Sequence, residues 1–202
     1  TLKTNVGINK ATRIKFLDII EVESNRLQRL IDDILILSFI EGNKSHYSNE
    51  IVNLAVIINE CINLVSETEK EKNVSIEYIS SSENVYIKAN HDLMKQLVLN
   101  LIDNAIKYSK DNGYVKIEVL EDSRKILLSV EDDGIGISKE DTNRIFERFY
   151  RVDKARSKKV GGTGLGLAIV KHIVINQKGY INVDSELDKG SKFTIQFPKD
   201  KF

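Results

Sequence analysis

A single cysteine, Cys61, is all that the 202 residues contain, so neither an intrachain disulfide nor a cysteine-rich zinc site can form. Its apolar helical surroundings suit a small buried filler rather than a reactive thiol, and this composition fits a reducing compartment. Charge of one sign is lacking too: 30 basic residues face 30 acidic ones, which leaves no global field to attract nucleic acid or an anionic membrane. Long apolar runs are missing. The longest, Ile34 to Ile40, is interrupted by Ser38 and falls far short of the roughly 20 residues that span a bilayer. There is no signal peptide, internal repeat or low-complexity segment, and Thr1 already lies in helical context, so the chain reads as a piece of something longer. What remains is a hydrophobic content of 41%, near the globular average and sufficient for a real core.

From about Asn9 to Glu41 there is no proline and no internal glycine, and Phe16, Ile20, Leu27, Leu30, Ile34 and Leu37 recur at helical spacing. This seam is of the coiled-coil or bundle type, broken near Glu23 and Ser24. Two readings stand. The helix packs on its own domain, or it is part of a dimer bundle, which would supply the apolar partner that a lone long helix needs. Gly42-Asn43-Lys44-Ser45 is its stop signal. Beyond it, the pattern predicts helices over 54–72, 91–108 and 164–177, and strands over 74–79, 85–88, 114–121, 125–131, 180–185 and 191–198. Hairpin strands with separated helices indicate an α+β fold, a two-layer sandwich with helices on one face of a mixed sheet.

The helix over 91–108 carries the first chemical signal. At about 100° per residue, Gln96, Asn100, Asp103, Asn104 and Lys107 share one side, while Met94, Val98, Leu101, Ile102 and Ala105 share the other. An ordinary surface helix is one explanation, but such faces favour Glu and Lys, and two amides one turn apart are weak helix formers. Amide oxygens can ligate a hard cation such as Mg²⁺ that also binds phosphate. Next, Glu131-Asp132-Asp133-Gly134-Ile135-Gly136-Ile137 follows a strand. A strand-end aspartate can accept from an exocyclic amine, and glycines let backbone approach a flat ring. An acidic turn is the plain alternative, and a calcium loop fits poorly because Ser129 would have to be its first ligand. Third, Gly161-Gly162-Thr163-Gly164-Leu165-Gly166-Leu167 runs into a helix, where free amides and the dipole favour phosphate. It matches neither the dinucleotide fingerprint, since Ile169 stands where glycine is required, nor the Walker lysine pattern, and a protein kinase's catalytic-loop set is absent. Between these segments, Arg144 to Val160 holds seven basic and two acidic residues around Phe146, Phe149 and Tyr150, a solvated loop or a cationic cover for polyphosphate.

In this order the segments resemble the boxes of the histidine-kinase ATPase domain within the GHKL family: an asparagine box at Asn100–Tyr108, a first glycine box at Asp132-x-Gly134-x-Gly136, a phenylalanine box at Phe146–Phe149, and a second glycine box at Gly162–Leu167. Lys189–Thr194 is similar to the weaker final motif, and Ser24–Ser38 to the second helix of the dimerisation hairpin. The resemblance covers about 48–198 and is nearest in character to membrane-bound sensors of phosphate or cell-wall state. It implies a division into 1–46, a partial dimerisation hairpin, and 47–202, an ATP-binding catalytic domain of the GHKL sandwich type. It also implies roles: Asn100 on Mg²⁺, Asn104 and Lys107 near phosphates, Tyr108 beside base or sugar, and Asp132 on the adenine amine. Gly134, Gly136, Ile137 and Thr194 would join the nucleotide site, Gly162 to Leu167 would cradle phosphates, and Arg148 and Arg151 would serve the cover or the docked hairpin. The implied reaction moves the γ-phosphoryl group of ATP to a histidine and on to an aspartate of a cognate response regulator. The expected setting is a homodimer, in the cytoplasmic portion of a membrane-anchored bacterial sensor.

None of His46, His91 and His172 stands in the acceptor context of that family, so the acceptor and its neighbouring acidic base are expected outside this fragment, which should bind ATP without labelling itself. All three read as structural or surface residues. ATP-hydrolysing relatives carry a glutamate one turn before the magnesium asparagine. Here that position is Gln96, which cannot act as a general base. A scaffold that only dimerises would have no use for the nucleotide boxes.

Overall fold

The computed structural model describes residues 9–42, 50–152 and 162–199. In chain order the elements are α1 (Lys10–Gly42), β1 (Glu50–Asn53), α2 (Leu54–Lys72), β2 (Ser75–Ser80), β3 (Tyr86–Ala89), α3 (His91–Tyr108), β4 (Tyr114–Glu121), β5 (Lys125–Asp132), α4 (Gly166–Asn176), β6 (Tyr180–Glu186) and β7 (Gly190–Pro198). Five strands form one sheet in the order β2-β4-β5-β7-β6, parallel only at β2-β4, and β1 pairs with β3 as a separate antiparallel ribbon. This is the two-layer mixed sandwich expected, with the long helix before it.

Alternation along the strands fixes the inner face. Val115, Ile117 and Val119 on β4, Ile126, Leu128 and Val130 on β5, and Phe193, Ile195 and Phe197 on β7 are buried in one core with α2, α3 and α4. Cys61 on α2 lies in that core, where burial pushes its thiol up to about 11. The β4–β5 hairpin closes on Asp122, whose Oδ1 accepts from the amides of Arg124 at 2.7 Å and Lys125 at 2.9 Å.

Most predicted bounds lie within one residue of the observed ones, and two features differ by more. β1 is a four-residue strand with only one buried side chain, too short to announce itself by alternation. α4 starts at Gly166 rather than 164, because Gly164 has φ +78° and cannot belong to a right-handed helix.

The stripe on α1 divides. Ile20 is 50% and Leu27 57% exposed, with Phe16 and Ile34 also open. Leu37, at 4%, is buried together with Ile40, and Leu30 packs partly on the same core. Leu37 is therefore not free to face a partner as the seam reading had it; with the partly buried Leu30 it attaches the end of α1 to its own domain. Residues 43–49, with His46 and most of the stop signal, residues 153–160 of the cationic segment and Gly161 of the glycine loop lie outside the described residues.

Candidate functional site

α3 begins where Asn90 Oδ1 accepts the amide of Leu93 at 3.0 Å. Its apolar side, from Leu93 and Met94 to Ala105 and Ile106, is buried in the core. The opposite edge is thereby turned toward a cavity of about 700 Å³ lined by Gln96, Asn100, Asp103, Asn104, Lys107 and Tyr108. Gln96 Nε2 donates to Asn100 Oδ1 at 3.4 Å, and Asn100 Nδ2 donates to the Gly166 carbonyl at 3.3 Å, which ties the start of α4 to this edge. The Lys107 ammonium is paired with Asp103 one turn earlier.

Asp132, the last residue of β5, lines the cavity and is only 6% exposed. Burial raises its carboxyl to about 6, against the lowering effect of its bond from the Gly134 amide at 2.9 Å, while Asp133 nearby raises it further. The following loop is fastened to the end of α3: the Ile135 amide donates to the Tyr108 carbonyl at 3.2 Å. A Cβ on Gly134 would stand 2.1 Å from that carbonyl oxygen, so only glycine permits the approach.

Arg151 brings a cation to the same cavity, and its Nη2 is buried with no hydrogen-bond partner among the described residues. Such a group is costly to leave unpaired, and an anionic ligand would satisfy it. Tyr150 beside it also lines the cavity; its hydroxyl donates to Asp141, and the Arg144 guanidinium lies 4.2 Å from its ring centre.

Of the residues expected at the site, the cavity gathers Asn100, Asn104, Lys107, Tyr108, Asp132, Gly136, Ile137, Arg151, Gly162, Thr163, Gly164, Gly166 and Leu167. Four do not line it. Gly134 shapes the loop from behind, against Tyr108. Leu165 is fully buried in the core. Thr194 lies between Phe193 and Ile195 on β7, and strand alternation turns it to the outer face. Arg148 is exposed and pairs with Glu41 at the end of α1. Two residues near Thr194 that were missed, Ser191 and Phe193, do line the cavity. The period of two running back from buried Ile195 and Phe197 could have found them.

The contribution of α1 had no signal in the sequence. Arg29, Asp32, Asp33 and Ile36 form part of the cavity wall, and Thr163 Oγ1 donates to Asp33 Oδ2 at 2.6 Å. Burial raises the Asp33 carboxyl, while the Thr163 bond opposes the rise. Neither His91 nor His172 lines the cavity; His172 lies 3.7 Å from Glu41, and burial, with Arg148 and Lys171 nearby, lowers its pKa.

The family described as histidine kinase-, DNA gyrase B- and HSP90-like ATPase matches residues 89–201, more than half of the chain. The sensor histidine kinase WalK of Bacillus subtilis is 38% identical over 194 residues, covering 94% of this chain and 31% of that protein, so the chain spans about a third of this relative. Among solved structures, full-length ShkA in complex with AMPPNP aligns at a TM-score of 0.78 with 26% identity, over 96% of this chain and 40% of that one. Histidine kinase ThkA in complex with the response regulator protein TrrA aligns at 0.75 with 26% identity, over 97% and 54%. Fold, ordered boxes and relatives agree: the chain belongs to the histidine kinase-, gyrase B- and HSP90-like ATPase family, and the relatives that it resembles are sensor histidine kinases.

Proposed function

We propose that this chain binds ATP with Mg²⁺ in the cavity and, within its parent protein, transfers the γ-phosphoryl group to a histidine for relay to an aspartate of a response regulator. One observation carries the reading: a single cavity holds a buried carboxylate, Asp132, and a guanidinium nitrogen of Arg151 that is buried with no partner among the described residues. A ligand that satisfies both presents a hydrogen-bond donor at one point and an anion at another, as an adenine amine and a polyphosphate do.

Asp132 would accept from the amine, with Tyr108, Gly136 and Ile137 beside the base or sugar. Arg151, Asn104 and Lys107 would meet phosphate oxygens, the last by leaving Asp103, and the loop from Gly162 to Leu167 would present amides near the N-terminus of α4. Among the described residues no group of three or more His, Cys, Asp or Glu could hold a metal. A cation here therefore needs the phosphates as ligands, and Asn100 offers the neutral oxygen that Mg²⁺ accepts. When bound, Mg²⁺ neutralises charge on the transferring group. Gln96, which lines the cavity and donates to Asn100, has no basic group to activate water, which favours transfer over hydrolysis.

The open stripe on α1, Phe16, Ile20, Leu27 and Ile34, supports a homodimer in which a second copy covers it. We read 1–46 as part of the dimerisation hairpin and 47–202 as the catalytic domain. Among the described residues no helix is long and apolar enough to cross a membrane, and a membrane anchor would belong to other segments of the parent protein. The test is to give the full-length protein γ-labelled ATP with Mg²⁺. Acid-labile, alkali-stable label on the protein is the expected result; label found only as inorganic phosphate would mean an ATPase instead.

A further inference from the structure

Lys72, the last residue of α2, lies outside the cavity lining, yet its ammonium reaches the end of the helix that carries the nucleotide residues. Nζ donates to the carbonyls of Ile106 at 3.1 Å and Ser109 at 3.3 Å, and to that of Lys107 between them. The carbonyls of Ile106 and Lys107 are among those that an α-helix leaves without intrahelical partners, at the negative end of its dipole, where a cation is most favourable; Ser109 caps the same end. The attachment runs both ways, since the Lys72 carbonyl accepts the amide of Asn112 at 3.2 Å, just beyond α3. Asn73 and Asn112, both at positive φ, join side chains at 2.6 Å beside it.

The residue enclosed by these contacts is Tyr108. Its carbonyl is the one that accepts from Ile135 and against which Gly134 packs. A continuous set of bonds thus runs from the Lys72 ammonium, through the last turn of α3, to the loop that follows Asp132. Asn100, two turns earlier on α3, is held separately by Gln96 and the Gly166 carbonyl.

We propose that Lys72 is a positioning residue for the base-recognition end of the nucleotide site: it fixes the last turn of α3, and through the Tyr108 carbonyl it sets the loop of Gly134 to Gly136 against Asp132. This rests on the nucleotide reading of the cavity. It separates two ends of one site, because losing Lys72 disturbs Tyr108 and the loop but leaves the Asn100 end in place.

The test compares Lys72→Met, Lys72→Gln and Lys72→Arg in the full chain, at a temperature where circular dichroism shows each folded. Calorimetry with ATP and Mg²⁺, with ADP in EDTA, and with AMP reads affinity. Lys72→Met is expected to lose about tenfold, the factor that 1.4 kcal/mol represents, and to lose it equally for all three ligands. Lys72→Gln, which keeps donors without charge, falls between, and Lys72→Arg restores affinity. A loss seen only with Mg²⁺ overturns the proposal, as does unchanged affinity in a folded Met or Gln variant. The amide resonance of Ile135 in the ligand-free chain gives an independent readout. If the wild type binds no adenine nucleotide, the reading of the site fails, whereas an Ile135 resonance unmoved by Lys72→Met overturns the role of Lys72 itself.

Discussion

α1 and α3 are both amphipathic helices, and both give polar residues to the same cavity, but they differ in what covers their apolar sides. α3, at 18 residues, buries eight side chains in the core. α1, at 33 residues, buries two, both near its C-terminal end. A helix fully served by its own domain can hold cavity residues in fixed register, as Gln96, Asn100 and Tyr108 are held. A helix served only at one end leaves most of its length uncovered, and the residues it lends, Asp33 above all, come from the attached end, where the Thr163 bond adds to the packing of Leu30, Ile36 and Leu37. The difference separates a helix whose whole length is built into the domain from one that reaches the site only with its C-terminal half.

Breaking the covered side has the largest expected effect. Leu101→Ala in α3 should cost about 2–5 kcal/mol of stability by denaturant unfolding, because the site is sealed on all sides. Ile20→Ala in α1 should cost under about 0.5 kcal/mol in the monomer. A similar loss at both positions would mean that α1 is packed throughout in solution.

Asp132→Asn sharpens the contrast from the cavity side. Nucleotide affinity should fall about tenfold or more, the 1.5–3 kcal/mol of a hydrogen bond to a charged group; equal affinity in calorimetry would remove Asp132 from recognition. The same change should act oppositely on the ligand-free fold. The carboxyl is at about 6 when folded, above its ordinary 3.8, so the folded chain holds that proton more tightly and stability declines as pH rises between these values. Asp132→Asn should therefore melt higher than wild type at pH 7, with the gap closing near pH 4. Nucleotide binding by wild type should weaken as pH falls through about 6 relative to the variant, because the proton occupies the acceptor. A constant difference in melting temperature across this range would assign the effect to shape rather than charge.

The attachment of α1 to the glycine loop gives a smaller effect. Thr163→Val removes the donor to Asp33 and should free the end of α1, seen as faster hydrogen exchange over residues 26–40 with α3 unchanged. The smallest change belongs to Arg148→Ala. An exposed ion pair with Glu41 contributes about 0–1 kcal/mol, so the melting temperature should barely move; a large drop would show the pair to be more than a surface contact.

Much of the sandwich was legible because its elements are long and periodic, and the polar edge of α3 stood out because amides sit where Glu and Lys are usual. Asp132 and the glycine segments were legible as local chemistry: a strand end, and a loop entering a helix. Thr194 was misjudged by one residue, and on a strand one residue means the other face. The exposed position of Arg148 and the approach of Asp33 to Thr163 depend on how α1 lies across the domain. That arrangement joins residues 130 positions apart and leaves no trace in any local pattern. β1 was missed because its partner β3 lies more than 30 residues away and one buried side chain carries no period.

The strand order has a consequence for synthesis. β7 sits between β5 and β6, although both are made before it. Until Gly190 to Pro198 has left the ribosome, β5 keeps an open edge and β6 has no neighbour, so a nascent chain carries unpaired strands while its helices are already complete. Ser191 and Phe193 arrive with that strand, so the cavity is closed only when the last-made strand of this sheet is in place. A nucleotide bound in this cavity would therefore meet a sheet already assembled, which it can stabilise without guiding how the strands come together.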